Sequence, residues 1–183
     1  MCGRFFIDLD YEALLERYGI GTPHIPLQYY QGDISPGREI LYTDGSAMKQ
    51  LMWGSETSFS KKRLINVRSE TLFSKPFYRS FEPRIVYASG YYEWHQVTKA
   101  KTQIMTEEHF MAMAAIEMRL ENEPFLLVLT KEATDNIRDI HTRMPVILKE
   151  NQQLPWVEEK KLALDNHYNL LTNVMSDVQL SFL

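Results

Sequence analysis

A chain of 183 residues that is 44% hydrophobic and 12% aromatic can bury a real core, and it is expected to fold as one domain over 1–183. Its net charge of −4 argues against a general nucleic-acid coat while leaving room for a local groove of arginines. The single cysteine excludes an intramolecular disulfide and a cysteine-cluster metal site; with no long apolar run and no basic-then-apolar leader, the chain reads as cytoplasmic.

Residues 5–19 predict a short strand and then a helix. Asp8 or Asp10 can cap that helix, Tyr11, Leu14, Leu15 and Tyr18 share one face, and Gly19 can end it. Pro23, Pro26 and Pro36 make 20–37 a long loop. The Asp44-Gly45 turn joins 39–43 and 47–53 into a hairpin. A short strand at 64–67 runs straight into Arg68-Ser69-Glu70-Thr71. Pro76 and Pro83 then limit 69–83 to a helical turn or two anchored by Phe73, Phe77 and Phe81. Residues 84–94 are the most strand-like stretch, and Gly90 within them marks a bulge or a close backbone approach. Further strands are expected at 102–106, 110–116, 125–129 and 146–148, with a helical turn in 130–139 capped by Thr130 or Thr134. After Pro155, helical spacing runs through Val157, Leu162 and Leu164, then Tyr168, Leu170 and Leu171. The sum is an α+β fold: antiparallel or barrel-like sheets with a few short helices.

Met1-Cys2-Gly3-Arg4 carries the most distinctive chemistry. A methionine before a small residue is normally trimmed, which would leave Cys2 with an α-amine and a thiol on adjacent carbons. Such an amine titrates at roughly 7.7–8.0 and a thiol at about 8.5, so some of each is unprotonated near neutral pH. The amine can condense with an aldehyde and the thiol can close onto the imine carbon as a thiazolidine. Alternatively, the thiol attacks an acyl carbon with the amine as its base. The plain alternative is that Cys2 is a small apolar residue on the first strand.

Three more polar groups invite a catalytic reading. Asn66, in INVRSET, can orient a thiol or amine without competing for its proton, although asparagine at a strand end is also a common turn former. Glu93 lies among Tyr91, Tyr92 and Trp94, where desolvation would raise its pKa and suit it to proton shuttling; strand alternation can equally turn it to water. His141 can serve as general acid or base, or simply be solvated in its loop. The other histidines, His24, His95, His109 and His167, show no metal-ligand spacing. Arg4, Arg68 and Arg143 each lie within two residues of one of these groups, a coincidence that suits a phosphate-bearing substrate. Trp53 is either a stacking platform for a base or a core residue.

Together, Met1-Cys2-Gly3-Arg4-Phe5, Trp53-Gly54, Asn66-Val67-Arg68-Ser69-Glu70-Thr71, Gly90-Tyr91-Tyr92-Glu93-Trp94 and His141-Thr142-Arg143-Met144-Pro145 resemble the SRAP (SOS response-associated peptidase) family of abasic-site-shielding proteins. They stand in the family's order over residues 1 to about 150; the end from residue 155 matches less well, and Asp33, Ser35, Tyr87 and Thr142 depart from the family pattern. The resemblance implies the family's fold and a covalent thiazolidine bond between Cys2 and an abasic site in single-stranded DNA, shielding the site from strand cleavage. It implies catalytic roles for Cys2, Asn66, Glu93 and His141, and DNA contacts from Arg4, Trp53, Arg68 and Arg143. No metal, cofactor or membrane enters, and a cytoplasmic, nucleoid-associated monomer is expected. Two other readings stay open: an N-terminal-nucleophile cysteine peptidase that removes its own Met1, and a non-covalent single-strand-binding module.

Overall fold

The computed structural model describes residues 2–21, 30–58 and 60–175. In chain order, its first half holds β1 (Phe5–Ile7), α1 (Tyr11–Tyr18), β2 (Gly32–Ile34), β3 (Glu39–Thr43), β4 (Met48–Met52), β5 (Ser55–Thr57), β6 (Ser60–Leu64), β7 (Asn66–Arg68) and α2 (Ser69–Leu72). The second half holds β8 (Glu82–Ala88), β9 (Gly90–Trp94), β10 (Lys101–Thr106), β11 (Met111–Leu120), β12 (Glu123–Glu132), α3 (Asp135–Arg138), β13 (Arg143–Pro145), β14 (Ile147–Leu148), α4 (Glu150–Glu159) and β15 (Leu170–Val174). The expected loop of 20–37 lies partly outside the described residues; within it, 32–34 form β2.

Two sheets carry the α+β fold. The smaller has the order β15-β10-β9-β1-β2; the larger runs β13-β12-β11-β8-β3-β4, with β14 on β11 and β7 on β12. Every ladder is antiparallel except β7 on β12. Trp53, just past β4, bridges to Leu126 of β12, and the Gly54 N–H donates to the Leu126 carbonyl at 2.8 Å. The larger sheet thereby curls back toward itself, which gives it a barrel-like aspect while it remains open. Its central strands are buried along most of their length, Met111–Ile116 and Phe125–Lys131 included, which explains their near-continuous apolar runs.

Local chemistry sets the joints. Asp10, not Asp8, caps α1: its carboxylate accepts the N–H groups of Glu12 and Ala13, each at 3.1 Å, and Gly19 closes the helix at φ 61°. Glu121 and Asn122 both hold positive φ, 52° and 70°, the geometry of a two-residue hairpin turn between β11 and β12.

Three expectations are corrected. The stretch 84–94 is two strands rather than one, because the chain leaves the larger sheet at Ser89 and enters the smaller at Gly90. A Cβ at Gly90 would lie 2.5 Å from the Ile104 carbonyl oxygen and 2.6 Å from Phe6 Cε1, so the close approach expected there is real. Thr130 belongs to β12, and α3 starts after Thr134. The helix near Pro155 begins before it, at Glu150, and the apolar residues beyond 160 end in strand β15 instead of a second helix. The carbonyls of that tail find partners elsewhere. Lys131 Nζ donates to Leu164 and Asn166, and Asn136 Nδ2 to Leu170, so the segment needs no helical bonds of its own. No described helix is long and apolar enough to cross a membrane.

Candidate active site around Cys2

β1 hangs the start of the chain along β9. Phe5 pairs with Tyr91, and the Tyr92 N–H donates to the Arg4 carbonyl at 2.9 Å. Cys2 is completely buried at the end of this run. From the other sheet, β7 presents Asn66 at its first position, in parallel register with Val128 of β12. The Asn66 side-chain N–H donates to the Cys2 carbonyl at 2.9 Å, joining residues 64 positions apart. Its Oδ1 is buried without a partner among the described residues, so the amide grips Cys2 with one end and keeps an acceptor in reserve.

Glu93 stands on β9 two residues after Tyr91. Strand alternation puts both side chains on one face, and both are buried. Burial pushes the Glu93 carboxyl above the ordinary glutamate range, and the nearby His141 pulls it partly back. The Cys2 thiol is raised far more, first by burial and then by Glu93, while the Arg4 backbone N–H favours the thiolate. His141 follows α3, its N–H bonded to the Ile137 carbonyl at 2.9 Å. Its Nδ1 accepts the Arg143 N–H at 3.0 Å, which fixes the ring. Cys2, Asn66, Glu93 and His141, drawn from four separate stretches, thus converge on one spot.

The expected DNA contacts fare differently. Arg4 is partly exposed on the opposite face of the smaller sheet, 3.9 Å from Asp33. Asp33 also accepts the Tyr92 hydroxyl at 3.0 Å and lies 3.6 Å from Lys101, whose ammonium sits 3.8 Å over the Tyr92 ring. Arg68, exposed at the end of β7, lines a cleft of about 380 Å³ with Glu132, Arg138 and Thr142. Arg143 is corrected: it is buried, bidentate to Glu70 at 2.7 and 3.0 Å and bonded to the Thr130 carbonyl at 2.6 Å, so it braces β13 against α2 and β12. That ion pair holds the Glu70 carboxyl below its ordinary range. Trp53 is likewise corrected to a core residue. It is fully buried, its ring centroid is 4.9 Å from that of Phe5, and its indole N–H donates to the Ile65 carbonyl at 3.0 Å. Among the described residues no group of three or more His, Cys, Asp or Glu is placed to hold a metal.

Sequence reasoning passed over Tyr91, Lys101 and Arg138. Tyr91 was readable from its spacing to Glu93; the other two depend on which strand lies beside which, and no local pattern encodes that.

A model of the SOS response associated peptidase (SRAP) family matches residues 1–182. Abasic site processing protein YoqW of Bacillus subtilis is 28% identical over 193 residues, covering 93% of this chain and 86% of that protein. Abasic site processing protein YedK of Escherichia coli is 29% identical over 183 residues, covering 87% and 81%. Among solved structures, a Bacteroides thetaiotaomicron protein superposes with a TM-score of 0.79 at 18% identity, covering 96% of this chain and 93% of its own. One from Bordetella bronchiseptica gives 0.75 at 19%, covering 96% and 100%. At these identities the solved structures speak for the fold alone.

Proposed function

Since the chain belongs to the SOS response associated peptidase (SRAP) family, we propose that it handles abasic sites in DNA by bonding them covalently through Cys2. The observation that carries this reading is the clamp of Asn66 on Cys2 beside a buried Glu93. A cysteine that served only as core filling would need neither a side-chain amide on its carbonyl nor a carboxyl next to it. The names of the relatives, abasic site processing proteins, supply the substrate class.

The chemistry follows from these groups once Met1 is removed. His141 moves a proton as the abasic sugar opens to its C1′ aldehyde. The Cys2 amine adds to that carbon, forming a C–N bond and a hydroxyl. Glu93, whose carboxyl burial holds above the ordinary glutamate range, gives a proton to the hydroxyl, which leaves as water, and the nitrogen's proton returns to the Glu93 carboxylate as the imine forms. The Cys2 sulfur then bonds to the same carbon, its proton passing to the nitrogen, and the thiazolidine closes. Asn66 holds Cys2 so that both attacks come from one position, and its free Oδ1 is available to the new amine. Arg4 and Arg68 take phosphates and fix register without reading sequence.

Intact mass of the Met1-processed protein, with and without a single-stranded oligonucleotide bearing one abasic site, tests the reading. The expected result is protein plus DNA minus one water, surviving denaturation and absent in Cys2→Ala. Cys2→Ser should give an adduct that survives only after borohydride reduction. No adduct from the processed wild type would sink the proposal, and turnover of peptides in its place would favour an N-terminal-nucleophile peptidase.

A further inference from the structure

Tyr91 is an enclosed polar group beside Cys2 and Glu93 for which the proposed steps have no use. Its side chain is completely buried, yet its hydroxyl has no hydrogen-bond partner among the described residues. An unpaired buried hydroxyl is destabilising, and a phenylalanine would fill the same space without that cost. Packing therefore does not account for the oxygen. Its position is telling: Tyr91 pairs with Phe5, three residues from Cys2, and shares a face of β9 with Glu93. From the reading of Cys2 as an aldehyde-capturing nucleophile, we propose that the Tyr91 hydroxyl is the donor that holds the aldehyde oxygen while the Cys2 amine adds to C1′.

The hydrogen bond strengthens as the carbonyl oxygen gains charge, which is where a preorganised donor in a water-poor site accelerates addition. No bond to Tyr91 forms. Its proton stays on the phenol, and Glu93 supplies the proton that departs with water. Burial, then Cys2 and Glu93, hold the phenol well above its ordinary pKa, so it remains a donor across the working range.

The test compares wild type with Tyr91→Phe in the Met1-processed protein by three readouts. These are the single-turnover crosslinking rate with abasic single-stranded DNA, thiazolidine formation with glyoxylate by intact mass, and affinity for an intact strand. Slowing by about 10–1000-fold in both reactions is expected, with intact-strand affinity unchanged and melting temperature unchanged or raised. Rates within twofold of wild type, or losses matched by weaker strand binding and a lower melting temperature, would overturn the assignment. If wild type captures glyoxylate and ignores abasic DNA, the abasic-site reading fails while the glyoxylate rates still decide the role of Tyr91. If wild type captures neither, both fall.

Discussion

Glu93 shows how a single residue's surroundings set what it does. Its carboxyl is raised because burial disfavours the charged form, so the folded protein holds this proton more tightly than the unfolded chain does. A raised group contributes stability that is full below its unfolded pKa, about 4.3, and is lost as pH rises through the folded value. Melting temperature should therefore fall over that window in the wild type and hold flatter in Glu93→Gln. Crosslinking should decline as pH rises through the same value; Glu93→Gln should lose that limb and run about 10²–10⁴-fold slower across it. Both are read from pH series of melts and single-turnover rates. Arg143 makes the opposite point. Its sequence position beside His141 suggested a phosphate contact, but Glu70 and Thr130 engage the guanidinium instead. Removing Glu70 leaves a buried cation short of two hydrogen bonds, so Glu70→Ala should cost about 1–3 kcal/mol in a urea titration.

At the scale of elements, the meeting of β9 with β1 and β10 positions the candidate site. Gly90 permits it, since the Ile104 carbonyl oxygen and Phe6 press against the place where a Cβ would be. Gly90→Ala should push β9 away from its neighbours, costing about 1–3 kcal/mol in a thermal melt. Because Tyr91 and Glu93 ride on the same strand, the crosslinking rate should fall by more than the lost stability explains. Helix α1 and the β3–β4 hairpin were legible in the sequence because their signals are local: Asp10 and Gly19 at the helix ends, Asp44-Gly45 at the turn. The break between β8 and β9 was not legible, since both halves carry the same apolar pattern and only the change of sheet separates them. The fate of 160–174 was hidden too, because Lys131 and Asn136 bond its carbonyls from other elements.

Across the whole molecule, a net charge of −4 coexists with two groups of cations, Arg4 with Lys101 on the smaller sheet and Arg68 with Arg138 beside β7. Binding to intact single strands should weaken steeply with salt, and Arg68→Ala should lower the slope of log K against log salt by about 0.7, measured by fluorescence anisotropy. The sequence by itself determined the candidate nucleophile, the strand-rich α+β class and the polar groups worth watching, because the pairing of amine with thiol and the spacing of apolar residues are properties of neighbours in the chain. Tertiary structure alone decided that Cys2, Asn66, Glu93 and His141 meet, that Trp53 and Arg143 turn inward, and that Tyr91 brings an unpartnered hydroxyl to the same place. Those outcomes depend on which strands pair and which face each presents, and on how far burial changes the cost of a charge or an unpaired oxygen, and both are set by residues far away in sequence.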